Sequence, residues 1–132
     1  MVKDLERFVA VAQGKHPAEL VVRDLAVDVG ATPVPMGAAE HDAAVAAVSH
    51  VPQLVSSLVA ARLEGLPESC LALAGQGLRD VTRVAASDPR LWSAIVVANA
   101  GPVVGLLREV AADLERLIEG VAPAAGEVGG EG

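Results

Sequence analysis

The stretch EHDAAVAAVSHVPQLVSSLVAA, residues 40–61, decides the fold class of this chain. It lies within residues 39–64, which are almost all helix formers, so we predict one long helix. Pro52 cannot donate a hydrogen bond to the carbonyl of Val48, and a kink is therefore expected there. Residues 43–61 carry no formal charge, but their histidine, proline, glutamine and serines favour a buried helix of a soluble domain over a membrane span.

Further helices are predicted on both sides of this stretch, because apolar residues recur there at helical spacing. The predicted helices cover residues 3–13, 18–29 and 68–86, and Gly30 is the expected C-terminal cap of the second. A further helical segment starts at Ser87-Asp88-Pro89 and is interrupted at Gly101-Pro102, and the last helix ends at 119. Pro33 and Pro35 forbid a helix over residues 31–36, so an extended segment or a short edge strand is expected. Residues 120–132 offer little to bury and are predicted to be a disordered tail.

The composition indicates a globular, mostly helical protein. The chain has 132 residues, 52% of them hydrophobic, and its only aromatic residues are Phe8 and Trp92. The net charge of -7 makes nucleic acid an unlikely partner, because an acidic surface repels phosphates. Cys70 is the single cysteine, so no internal disulfide is expected, and it is interpreted as a small buried hydrophobic residue. No signal peptide is recognised, which predicts a cytoplasmic protein.

The segment Gly75-Gln76-Gly77-Leu78-Arg79-Asp80 resembles the opening of a dinucleotide-binding loop. No strand is predicted before it, and Asp80 stands where the third glycine belongs, so close helix packing is the favoured explanation of the glycines. No other stretch offers a phosphate-binding loop, and no spacing of His, Cys and Asp indicates a metal site. We therefore predict no cofactor-binding and no metal-binding residues in this chain.

Arg79 and Arg83 are four residues apart in the predicted helix 68–86, so both project from one face. Two guanidinium groups on one face suit a carboxylate ligand, because arginine binds carboxylates through two parallel hydrogen bonds. A surface ion pair between Asp80 and Arg83 is the alternative.

Two further residues have open interpretations. His50 lies in an otherwise apolar helix just before the expected kink, and it is either a core residue with a satisfied hydrogen bond or a ligand-binding residue. Trp92 either anchors helix packing or forms one wall of a pocket. Composition and spacing thus describe an acidic, mostly helical domain with a candidate anion-binding face.

Four segments, taken in order, resemble the C-terminal domain of the prephenate and arogenate dehydrogenases of tyrosine biosynthesis. The segments are Glu40-His41-Asp42, Val48-Ser49-His50-Val51-Pro52, Leu73 to Ala85 and Ser87 to Trp92, and Asn99 falls where the family has an asparagine. Residues 18–36 resemble the last helix and last strand of the family's nucleotide-binding domain.

The resemblance implies a mostly all-α fold, a helical bundle like the C-terminal domain of 6-phosphogluconate dehydrogenase, with a short N-terminal α/β remnant. It divides the chain into a remnant of the nucleotide-binding domain over residues 1–36, a dimerisation and substrate-binding domain over 37–119 and the tail over 120–132. In the family, the helical domain forms an intertwined homodimer. A Rossmann domain binds NAD or NADP, and hydride transfer to the nicotinamide accompanies loss of CO2.

The resemblance also assigns roles to residues. Arg83 matches the family arginine that holds a substrate carboxylate, with Arg79 as its neighbour. His50 matches the first histidine of a Ser-His-x-Pro-His motif that lines the pocket, and Gln53 replaces the second. These four residues are the predicted substrate-binding set, Trp92 matches a tryptophan near the dimer core, and no residue of this chain is predicted to be catalytic.

We therefore expect a truncated substrate-binding and dimerisation half of a prephenate or arogenate dehydrogenase. It is expected to be inactive alone, because the glycine fingerprint and the family's catalytic histidine belong to the Rossmann half. Its expected partners are a second copy and a separate Rossmann-domain chain, with no nucleic acid and no membrane. The alternatives are a stand-alone binding module or sensor for prephenate, arogenate or tyrosine, and a pure oligomerisation scaffold.

Overall fold

The computed structural model describes residues 8–14 and 16–127, which form two units, one ending at Ala44 and one beginning at Val45. The first unit is built on a β-α-β arrangement. Strands β1 (Phe8–Ala12) and β2 (Thr32–Met36) are parallel neighbours, and helix α1 (Pro17–Asp28) joins them. Helix α1 and the extended segment confirm the predictions for residues 18–29 and 31–36.

The helix predicted over residues 3–13 is wrong for Phe8–Ala12, which form β1; residues 3–7 lie outside the described residues. A short apolar run fits both a helical and a strand period, and its two valines favour a strand once a partner is available. That partner is β2, with Phe8 opposite Thr32 and Ala12 opposite Met36.

Strand β2 has one edge that is poorly suited to extending the sheet. Alternate residues of a strand point their N–H groups towards the same neighbouring strand. The N–H groups that can pair with β1 are therefore those of Thr32, Val34 and Met36. Pro33 and Pro35 then face the opposite edge, which lacks two hydrogen-bond donors. This geometry agrees with the edge strand predicted from the prolines.

The long helical run of residues 38–61 is confirmed, with a change of helix type inside it. Helix α2 (Ala38–Val45) leads into a π-helical turn (Ala46–His50) and then helix α3 (Val51–Ala61). The Val51 N–H donates to the carbonyl of Ala46, five residues back. Because Pro52 has no N–H for the carbonyl of Val48, the turn before it is free to widen.

The single helix predicted over residues 68–86 is wrong. The structure has helix α4 (Glu68–Leu71), helix α5 (Gln76–Thr82) and a 3-10 turn (Arg83–Ala86). Gly75 is the N-cap residue of α5, and a Cβ built at Gly75 or Gly77 would have no atom within 4 Å, so close packing does not explain these glycines. A glycine costs about 1 kcal/mol inside a helix, which favours a break here. Cys70 is exposed, contrary to the buried position predicted for it.

The C-terminal helices begin at a predicted cap and run further than predicted. Helix α6 (Pro89–Ala98) starts at Asp88, which accepts a hydrogen bond from the Arg90 N–H at 2.9 Å. Helix α7 (Ala100–Glu127) begins directly after Asn99 and contains Gly101-Pro102 in its first turn, where a proline loses no helical hydrogen bond.

The disorder predicted for residues 120–132 is wrong for 120–127, which continue α7. Residues 128–132 lie outside the described residues. Adding alanine-rich residues to an existing helix avoids the cost of nucleating a new one, so a segment that would not fold alone can extend α7.

The core of the second unit is small. Ala46, Val51 and Val103 are buried together, and α3, α6 and α7 contribute partly buried side chains around them, namely Leu54, Val55, Val96, Leu106, Leu107 and Val110. The run Ala38–Ala61 is long and apolar enough to cross a membrane, as are core helices of many soluble proteins. Its most apolar 18-residue window is 22% buried in the single chain, so the buried helix predicted from the sequence is only partly buried.

Candidate functional site

His50, the last residue of the π-helical turn, is buried with 9% of its surface exposed. Its Nδ1 atom lies 3.2 Å from Nδ2 of Asn99, which donates when the imidazole proton is on Nε2. The Trp92 ring meets the imidazole edge to face, with the ring centroids 6.2 Å apart. This geometry agrees with one of the two interpretations of His50, a core residue with a satisfied hydrogen bond. The ligand-binding role of His50 stays a prediction.

Gln53 and Ser56 tie α3 to the segment that carries the two candidate arginines. Gln53 Nε2 donates to the carbonyl of Val84 at 2.8 Å, and Ser56 Oγ donates to the carbonyl of Val81 at 2.7 Å. Both side chains are buried, with 6% and 4% of their surface exposed. Gln53 is therefore engaged by the backbone here, and its predicted contact with substrate stays untested.

Ser56 supports the arginine-bearing segment and was not predicted from the sequence, although a signal was present. His50, Gln53 and Ser56 are spaced three residues apart in a mostly apolar helix. Polar residues at that spacing share one helix face. Because buried polar groups need partners, such a face predicts contacts to another element.

Arg79 and Arg83 are exposed, one in α5 and one at the start of the 3-10 turn. The alternative ion pair between Asp80 and Arg83 is not found: Asp80 Oδ1 accepts from Gln76 Nε2 at 2.8 Å. Across residues 8–14 and 16–127, ion pairs form at other positions, and neither arginine has a carboxylate partner. The two guanidinium groups are therefore available to an anion from solution.

The β1–α1 turn does not fit a dinucleotide, although it has the strand–turn–helix order of such sites. Glu19 caps α1 by accepting from the His16 N–H at 3.1 Å, and the Ala18 N–H donates to His16 Nδ1 at 3.2 Å. A Cβ at Gly14 would collide with the Glu19 carboxylate, so a negatively charged group lies at this turn and would repel a phosphate. In the described part of the chain, no strand precedes Gly75 to Asp80 directly either.

No group of three or more His, Cys, Asp and Glu side chains that could hold a metal ion occurs in residues 8–14 and 16–127. His41 contacts its neighbour Asp42, with Nδ1 and Oδ1 3.2 Å apart, and both are partly exposed. The arrangement in the second unit is thus suited to anion binding by exposed arginines on a segment fixed by buried polar side chains.

Comparison with known proteins gives one consistent family. Residues 37–128 match the family described as "prephenate dehydrogenase, dimerization domain". NovF of Streptomyces niveus, assigned as a prephenate dehydrogenase, is 37% identical over 97 residues, which are 73% of this chain and 27% of NovF. The chain thus spans about a quarter of that relative's length.

Solved structures agree with this family. A crystal structure from Corynebacterium glutamicum, assigned as a prephenate dehydrogenase, has a TM-score of 0.75 and 39% identity, covering 78% of this chain and 32% of that one. The prephenate dehydrogenase of Aquifex aeolicus, solved with hydroxyphenyl propionate and NAD+, has a TM-score of 0.75 and 28% identity, covering 91% and 44%. The mostly helical fold predicted from the sequence is confirmed, and this chain belongs to the prephenate dehydrogenase dimerisation-domain family.

Proposed function

We propose that this chain is the substrate-binding and homodimerising half of a prephenate or arogenate dehydrogenase of tyrosine biosynthesis, acting in the cytoplasm. Its membership of the dimerisation-domain family supports the homodimer. The Aquifex aeolicus relative holds hydroxyphenyl propionate, a carboxylate joined to an aromatic ring, and this supports a ligand of that class. In our proposal Arg83 binds the ligand carboxylate, with Arg79 beside it, and His50 and Gln53 lie at the ligand pocket.

One observation carries the proposal: Arg83 sits between two backbone carbonyls that α3 holds in place. Ser56 donates to Val81 and Gln53 donates to Val84, on either side of the arginine. Fixing the backbone on both sides removes much of the entropy that a guanidinium on a loose loop would lose on binding. An exposed, unpaired and well-positioned arginine is suited to a carboxylate.

Calorimetric titration of prephenate, and then arogenate, into the purified chain tests the role of Arg83. Arg83→Ala is expected to weaken binding at least about tenfold, because a hydrogen bond to a charged group contributes about 1.5–3 kcal/mol. Arg90→Ala is the matched control, since Arg90 is also an exposed arginine but lies in the first turn of α6 rather than in the 3-10 turn. Equal loss in both variants would mean that general positive charge, not a site at Arg83, attracts the ligand.

The 132 residues alone are expected to leave NAD and NADP unreduced in the presence of prephenate or arogenate. The reason is that the Glu19 carboxylate lies at the only described strand–turn–helix, where its negative charge would repel a dinucleotide phosphate. Absorbance at the wavelength of the reduced nicotinamide measures this directly. Adding a separately produced Rossmann half of a relative should restore turnover if the two halves associate, and turnover by these residues alone would contradict the proposal.

A ligand sensor is the second candidate function, favoured by the unpaired state of Arg79 and Arg83 within the described residues. Binding of prephenate, arogenate or tyrosine that is abolished by Arg83→Ala, without recovery of turnover by any added Rossmann half, would favour the sensor over the dehydrogenase half.

A further inference from the structure

The outer part of α7 presents an uncovered apolar surface. Every residue from Ala111 to Ala122 is exposed, a length of about 18 Å of helix. Its large apolar side chains expose between 54% and 62% of their surface and are Leu114, Leu117, Ile118 and Val121. We call these four residues the α7 ridge.

The α7 ridge continues a stripe that begins in the protein's own core. Apolar residues alternate at spacings of four and three along α7, at Val103, Leu107, Val110, Leu114, Leu117 and Val121. The first three are buried or half-buried, whereas the last three are exposed. Ile118 widens the stripe beyond a two-stranded coiled-coil seam, and a stripe of that width is typical of a helix packed against two others.

A groove between two helices lies in the same unit. It has a volume of about 350 Å³ and lies between α3 and α6, lined by Leu54, Ser57, Pro89, Trp92, Ser93, Val96 and Val97. Val97 exposes 74% of its surface, so the groove is open to an incoming side chain. We call it the α3–α6 groove.

We propose that the α7 ridge of one protomer packs into the α3–α6 groove of a second copy, and the reverse. The proposal rests on the homodimer proposed above and assigns the residues that form it. The dimerisation family match covers residues 37–128, which include both surfaces. In a two-fold symmetric dimer each protomer must carry both halves of every contact, and this chain carries a wide apolar ridge together with a groove between two helices.

Sedimentation equilibrium of the full chain and two surface variants tests this interface. Leu117→Asp with Ile118→Asp removes the ridge, and Val97→Asp charges the groove. Each is expected to raise the dimer dissociation constant at least about 100-fold, because apolar contact area is replaced by charges that lose water on association. Leu73→Asp, at an apolar residue 86% exposed and outside both surfaces, is the matched control and should leave dissociation unchanged.

Mixing the two variants separates this interface from a ridge-to-ridge contact. A heterodimer of the ridge variant and the groove variant keeps one intact ridge in one intact groove, so mixing should give more dimer than either variant alone. Circular dichroism confirms that each variant stays helical.

Each outcome either supports or overturns the contact between the α7 ridge and the α3–α6 groove. Dimers that survive the ridge variant, or no gain on mixing, would overturn the ridge-in-groove contact while the homodimer stands. A monomeric unaltered chain would overturn both, whereas ligand binding through Arg83 is measured independently.

Discussion

Replacement of Val103 with aspartate is expected to unfold the helical unit that begins at Val45. Val103 exposes 1% of its surface and packs with Ala46 and Val51 at the centre of the core. An uncompensated buried charge costs about 3–5 kcal/mol, while small domains are stable by only about 5–15 kcal/mol. Because this core is small, the free energy of unfolding should fall close to zero. Urea titration followed by Trp92 fluorescence and by circular dichroism, at one protein concentration, measures the loss.

The neighbouring residue supplies the control for this prediction. Val104 follows Val103 on the same helix but is 43% exposed, so Val104→Asp should change the free energy of unfolding by less than about 1 kcal/mol. Val103→Thr keeps the shape of valine, and its hydroxyl can donate to the carbonyl of Asn99 four residues back, so a cost of about 1–3 kcal/mol is expected. Equal effects at Val103 and Val104 would show that Ala46, Val51 and Val103 do not form the stabilising core.

The features of the fold that the sequence predicted correctly depend on nearby residues. The Asp88 cap is a contact to a residue two positions away, and Gly30, with φ +76, ends α1 in a conformation that glycine adopts at little cost. The prolines at 33 and 35 restrict their own backbone. Each of these features depends on residues of a single turn or strand, so it can be predicted from one sequence.

The features that were missed depend on residues distant in the chain. Phe8–Ala12 is a strand because β2 pairs with it after the whole of α1. The 3-10 turn after α5 is equally non-local, because Ser56 and Gln53 hold the carbonyls of Val81 and Val84 from another helix. Apolar periodicity over residues 68–86 carried no information about these contacts.

The candidate site was predictable in its residue types and not in its connections. His50 and Arg83 stand out by position, and the resemblance to the dehydrogenases selected them. The hydrogen bonds around the site join residues far apart in the chain: His50 and Asn99 are 49 positions apart, and Gln53 and Val84 are 31 positions apart. Only the folded chain reveals that Gln53 supports the backbone beside Arg83.

The hydrogen bond between His50 and Asn99 is expected to show a clear coupling in a double-mutant cycle. His50→Leu and Asn99→Leu should each lower the free energy of unfolding by about 1–3 kcal/mol, because each leaves a buried polar group without this partner. The double variant should lose less than the sum, since it buries neither polar group. A coupling of about 1 kcal/mol or more is expected, and the cycle isolates it even though both side chains have other contacts.

The same variants distinguish the two interpretations of His50. Ser93, an exposed hydroxyl on α6, serves as the comparison, and Ser93→Ala combined with His50→Leu should be additive. If Asn99→Leu destabilises the protein but prephenate affinity falls only with His50→Leu, the imidazole contacts the ligand as well as the core. If affinity follows stability in both variants, His50 acts through the position of α6 and α7 and does not contact the ligand. Full additivity of His50→Leu and Asn99→Leu would instead show that the 3.2 Å contact contributes nothing to folding.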